Sequence, residues 1–165
     1  MLRLIFVVIF IIFNCQVSNA QIIVQPYKYP VTKGSAEWDS IKDYRKLRSV
    51  CQIPLNVVNQ MTTEALFESV LDYPLIGDAF VFSTFQTGVE NLKINFRAFE
   101  VLNNRIDLGK VLIDQYVKFA VDEINTESLI IKGEHSVKLS FIELMLGQEF
   151  TNSTLTKEEV ITLAF

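Results

Sequence analysis

The chain reads as all-α: an irregular array of short amphipathic helices, with a helical-repeat-like array as the ordered variant. Three observations predict this. Apolar residues recur at spacings of three and four in segment after segment, as in Leu66, Phe67, Val70 and Leu71. Hydroxyl or carboxylate side chains stand where such segments begin, as capping of free helical N–H groups requires. Alternating strands at even spacing, the pattern of a sandwich or barrel, do not occur.

The first stretch is not part of the fold. Arg3, the apolar run Leu4 to Phe13, and Ser18-Asn19-Ala20 before Gln21 make a secretory signal peptide over 1–20, with cleavage after Ala20. The run is too short for a bilayer core of roughly 30 Å, which needs about 20 helical residues. The alternative is a lipoprotein cut before Cys15 and anchored through it, although Phe13-Asn14 is a poor context for that. Cleavage at Ala20 leaves 145 of the 165 residues, enough for one domain with its own core.

Residues 21–34 read as an extended lead-in. Pro26, Pro30 and Gly34 disfavour helix there, and Tyr27 and Tyr29 offer packing. A single helical domain then fills 35–165. Ser35 caps its first helix, with Glu37 in the first turn. Trp38, Ile41 and Tyr44 (or Arg45) share a face from which Leu47, Val50 and Cys51 drift. That drift predicts two short helices meeting near Lys42 or Asp43. Pro54 stops the run and opens a short turn through Val57 and Val58. Thr62 caps the next helix, whose stripe is Leu66, Phe67, Val70 and Leu71, and Asp72-Tyr73-Pro74 ends it.

Leu75 to Phe85 is apolar enough for a strand through Phe80-Val81-Phe82. Helix is expected instead, because both flanks are helical. Val89, Leu92, Phe96, Phe99 and Leu102 continue as one stripe to the stop at Asn103-Asn104. Asp107 caps a further helix with Leu108, Val111, Leu112, Gln115 or Tyr116, and Phe119 on its buried side. Asp122 and Glu123 are ill placed near a helix C-terminus, so fraying before Asp122 is expected. Leu129-Ile130-Ile131 followed by Lys132-Gly133 reads as a connector, and Ser136 as the start of a helix over Val137 to Gly147, with Lys138, Ile142, Met145 and Leu146 on one side. Thr156-Lys157-Glu158-Glu159 is a capping box for a last, two-turn helix. Such a helix needs docking, here by Ile161 and Phe165, unless the chain is shortened relative to its relatives.

Composition narrows function. Formal charge is −4, or −5 once Arg3 is removed, which gives no electrostatic reason to bind nucleic acid or anionic lipid. Lys42, Arg45, Lys46 and Arg48 cluster, but among Glu37, Asp39 and Asp43, as on a solvated face. After cleavage Cys51 is the only cysteine, which reads as a small buried hydrophobe. One His and one Cys are too few for an ordinary zinc site, and Asn103 to Asp107 is too sparse for a calcium loop. His135, in Gly133-Glu134-His135-Ser136, reads as an exposed loop residue, and no Gly-x-Ser-x-Gly elbow accompanies it. Glu64 and Glu68 read as a solvated pair. No residue is assigned a catalytic, cofactor-binding or metal role, and no cofactor is expected. Asn152-Ser153-Thr154 is a glycosylation sequon, relevant only to eukaryotic secretion. Phe80, Phe82, Phe85, Phe96 and Phe99 fall within twenty residues, mostly as core, with an exposed subset able to line a groove.

Trp38, then Val50-Cys51-Gln52-Ile53-Pro54, then Met61-Thr62-Thr63-Glu64-Ala65-Leu66, then Val70-Leu71-Asp72-Tyr73-Pro74-Leu75 resemble a group of exported bacterial proteins with a W…CQIP…MSTEAL…VLNYPL pattern. Asn91 to Tyr116 continues the likeness more loosely, and about half of the mature chain is covered. The resemblance implies bacterial origin and a helix-rich exported domain, and it carries no activity or site residue. Bacterial origin would make the Asn152 sequon incidental.

The expectation is therefore a secreted or periplasmic, non-enzymatic module that binds an extracytoplasmic protein, without nucleic acid and without stable membrane insertion after cleavage. The alternative is a hydrolase using carboxylates or His135.

Overall fold

The computed structural model describes residues 21–125 and 128–163. The signal peptide expected over 1–20, with Cys15, and the expected docking residue Phe165 lie outside the described residues. Among those described, helix dominates, and an isolated parallel bridge between Ile23 and Met61 takes the place of any sheet. The all-α class is the one observed.

The helices are α1 Ala36–Ser40, α2 Tyr44–Val50, α3 Leu55–Val58, α4 Thr63–Leu71, α5 Phe85–Asn95, α6 Arg97–Asn103, α7 Leu108–Asn125, α8 Leu129–Leu146, α9 Glu149–Asn152 and α10 Lys157–Leu163, with a 3₁₀ segment at Ile76–Phe80. The caps predicted at Ser35, Thr62 and Thr156 hold. Ser35 Oγ accepts from Trp38 N, and Thr62 Oγ1 accepts from Ala65 N. Thr156 and Glu159 close the capping box reciprocally: Thr156 N donates to Glu159 Oε2 at 2.8 Å, and Glu159 N donates to Thr156 Oγ1 at 3.3 Å. The break between α1 and α2 falls where the stripe drifts, with Asp43 capping α2.

α4 lies at the centre. Ala65, Leu66, Phe67, Ser69 and Val70 are all buried, and α4 packs against both α6 and α7. The lead-in is extended, as expected, and lies across α4. Ile23 exchanges backbone hydrogen bonds with Gln60 O (2.8 Å) and Thr62 N (2.9 Å). Tyr27 N donates to Ser69 Oγ at 2.7 Å, and the Tyr29 hydroxyl donates to Ser69 O at 2.8 Å. A chain of rings then runs inward: Tyr27 edge-on to Tyr29, Tyr29 against Tyr73, and Tyr73 stacked on Phe96 with centroids 3.8 Å apart.

Several expectations are corrected. The single stripe from Val89 to Leu102 belongs to two helices, since Phe96 takes an extended backbone between α5 and α6. Gln52 makes that break tolerable. Its Nε2 donates to Asn95 O (3.0 Å) and Arg48 O (3.1 Å), while its Oε1 accepts from Arg97 N (3.2 Å), an N–H the break would otherwise leave without a partner. Leu75 to Thr84 is neither α-helix nor strand, and Phe85 already opens α5: a 3₁₀ segment covers Ile76–Phe80, and bends follow it to Thr84. α7 runs on through Asp122 to Asn125 without fraying. The connector at Lys132-Gly133 and the helix start at Ser136 do not exist, because α8 runs unbroken from Leu129. A helical glycine costs about 1 kcal/mol relative to alanine. Packing of α8 against α7 offsets that cost, and the two 18-residue helices are each about 27 Å long. At the C-terminal end Ile161, expected to dock α10, is exposed.

Candidate functional site

The first half of α8 carries the most distinctive surface of the molecule. The elements facing it are set by two local constraints. Pro74 and the C-cap Asp72 stop α4, so the chain turns into the 3₁₀ segment. Gly88 in α5 then lies directly on Ala79: a Cβ there would overlap the Ala79 carbonyl oxygen and sit 2.8 Å from its carbon. The close approach places Phe80 edge-on to Phe85 (5.9 Å between centroids) and to Phe141 of α8 (6.4 Å). Phe141 in turn meets Phe99, so the surface rings continue into the core.

Two hollows border α8 there and share Val137. One, about 520 Å³, is lined by Gly77, Phe80, Phe85, Ser136, Val137 and Ser140. The other, about 570 Å³, is lined by Leu71, Asp72, Gly133, Glu134, Val137 and Lys138. Lys138 Nζ is 2.9 Å from Asp72 Oδ1 and lies over the Phe119 ring, which ties α8 to α4 and α7. Val137 is 52 % exposed, Phe85 57 % and Val81, just beyond the 3₁₀ segment, 76 %. Large apolar side chains grouped around a concavity on an otherwise charged surface mark a place where another apolar surface can be covered.

The residues singled out from sequence fall as follows. His135 is on α8, half-buried, and edge-on to Phe119 at 5.5 Å, so its expected loop position is corrected. Its Nδ1 is buried without a hydrogen-bond partner, and its neighbours Glu134 and Ser136 point into the hollows that it does not line. Residues one apart on a helix face different ways. His135 and Ser136 are therefore not presented together. Cys51 is fully buried, with Sγ 3.9 Å from Val31 O, and burial pushes its thiol pKa up, against nucleophilic use.

Glu64 and Glu68 are not merely solvated. Both accept from the buried Gln115 amide, at 3.3 and 3.5 Å, and Lys118 reaches Glu68 at 3.5 Å. Lys42, Arg45 and Lys46 are exposed, whereas Arg48 bonds Asn95 and covers the Tyr44 ring. Asp107 stands before α7 and accepts from Thr63 Oγ1 at 2.7 Å. Asn152 is exposed. Of the five clustered phenylalanines, Phe96 and Phe99 are core, Phe80 and Phe82 half-buried, and Phe85 exposed.

Gly77, Ser136, Val137 and Ser140 line one of the hollows and are not among the candidate site residues read from the sequence. The signal was present in Gly133-x-x-Ser136-Val137-x-x-Ser140, one face of a helix, but it is visible only once α8 is known to continue through Gly133. Among the described residues no group of three His, Cys, Asp or Glu side chains could hold a metal ion, and no helix is long and apolar enough to cross a membrane. Comparison with protein-family models, curated proteins and solved structures finds no match to this chain.

Proposed function

We propose that the protein is an exported, non-enzymatic helical module that binds a protein outside the cytoplasm through the groove along α8. The observation that carries this reading is the pair of hollows that share Val137, with Phe80 and Phe85 lining one of them. An amphipathic partner segment laid along α8 would cover these side chains, the usual mode of helix-in-groove recognition. Export rests on the leader pattern of residues 1–20 and on the resemblance to exported bacterial proteins, with a secreted or periplasmic location following from cleavage after Ala20.

The test is capture from envelope and medium with the mature protein, followed by mass spectrometry, run in parallel with Val137→Arg. A reproducible partner lost in the variant is the expected result. Failure to enrich any protein, or equal enrichment by both forms, would count against the groove. Mass spectrometry of the exported protein checks the leader, with a first residue of Gln21 expected.

A further inference from the structure

We infer that the groove along α8 pairs with the same groove of a second copy, the two α8 helices lying antiparallel across a two-fold axis level with Ser136, beside Val137. The inference deepens the reading above and depends on it. A two-fold interface must be self-complementary, each patch meeting itself.

Three features of α8 meet that demand. Val137 is a ridge between two hollows, so the ridge of one copy can enter the hollow of the other. Gly133 and Ser140, about one turn to either side, carry little or no side chain and are exposed, and no atom lies within 4 Å of where a Gly133 Cβ would be. The helices can thus approach closely. Charge supplies the orientation. Glu134 and Lys138 both border the same hollow, two positions before and two after Ser136. Antiparallel pairing at that level sets Glu134 of each copy against Lys138 of the partner subunit, twice by symmetry. Parallel pairing would set like charges together, which is unfavourable. Lys138 can serve Asp72 and the partner's Glu134 together, since an ammonium group has three donors.

The full mature chain is used for the test. Sedimentation of wild type should show a monomer–dimer equilibrium, and Val137→Arg should be monomeric with unchanged far-UV circular dichroism. Glu134→Lys and Lys138→Glu should each weaken dimerisation about tenfold, and the double exchange should recover it, a result that loss of the Lys138–Asp72 contact alone would not give. Independently of those variants, Val137→Cys should oxidise in air to a disulfide-linked dimer, because the axis holds the two Cβ atoms near the roughly 4 Å a disulfide needs. Asn152→Cys, exposed on α9, should not, and Cys51 is buried and silent.

A wild type that is monomeric throughout, no recovery in the double exchange, or equal cross-linking at positions 137 and 152 overturns the pairing. If the protein is monomeric yet a different captured protein is lost with Val137→Arg, the pairing fails while the groove stands. If neither self-association nor capture responds to that substitution, both fail.

Discussion

Gly88 and Gly133 are both helical glycines in exposed-looking amphipathic segments, and they sit in opposite surroundings. Gly88 is buried, pressed on the Ala79 backbone; Gly133 is exposed and has open space where a Cβ would point. The contrast separates the molecule into two regions. From the lead-in to α6 the chain is jammed together by backbone approach, ring stacking and polar staples. Along the first half of α8 it is left open, with small residues and apolar edges facing outward. Glycine in the first region is needed for packing. In the second it lowers helix stability, and a side chain there would meet open space.

The sharpest way to break this contrast is Gly88→Ala. The new methyl would collide with a backbone carbonyl that cannot swing aside, and a loss of about 3 kcal/mol is expected in urea unfolding. A loss under about 0.5 kcal/mol would mean that the α5 corner is not jammed at all. Alkaline pH probes the ring chain of the same region. Burial raises the Tyr73 pKa to about 12 and pushes Tyr29 higher still, with neighbouring Tyr and Asp charges adding to the effect. The neutral phenols are thus favoured in the folded state. Their contribution is fully present below about pH 10, the ordinary tyrosine value; that of Tyr73 is lost as pH rises through 12, and that of Tyr29 at higher pH still. Melting temperature should therefore fall between pH 10 and 12. Tyr73→Phe, which keeps the stack on Phe96, should flatten that decline; an unchanged profile would remove Tyr73 from the account.

Smaller effects sharpen the comparison. Gln52→Ala strips partners from Arg97 N and Asn95 O at the α5–α6 break and should destabilise by about 1 kcal/mol, without changing the helical signal appreciably. Gly133→Ala should do the reverse of Gly88→Ala and stabilise the monomer by about 0.5–1 kcal/mol, since only helix propensity changes. If Gly133→Ala also weakens self-association, the open surface is being used as proposed. If it destabilises the monomer, the division into a jammed and an open region is wrong.

Much of the fold was legible before any coordinates, because caps are local. Ser35, Asp43 and Thr62 each hold an N–H two or three residues away, and Thr156 with Glu159 holds two. Side-chain chemistry at such a distance is settled by sequence alone. The corrections share the opposite cause. Phe96 breaks a continuous apolar stripe because Gln52, 45 residues earlier than Arg97, satisfies the N–H that the break frees. Gly133 fails to break α8 because α7 supports it from outside the segment. The candidate site was less legible than the fold. Phe80 and Phe85 stood out as aromatics, but Val137 and the serines around it are ordinary residues whose exposure depends on what α4 and the 3₁₀ segment do.

Sequence by itself determined that this chain is helical and where most of its helices begin. Each follows from residues within a turn or two of one another, where spacing and hydrogen-bonding capacity suffice. Tertiary structure decided where α5 ends, that α8 is one rod, and which apolar side chains stay uncovered. Those outcomes depend on contacts between segments dozens of residues apart, since the partner that satisfies a broken backbone or leaves a face bare is supplied by the fold and not by the local pattern.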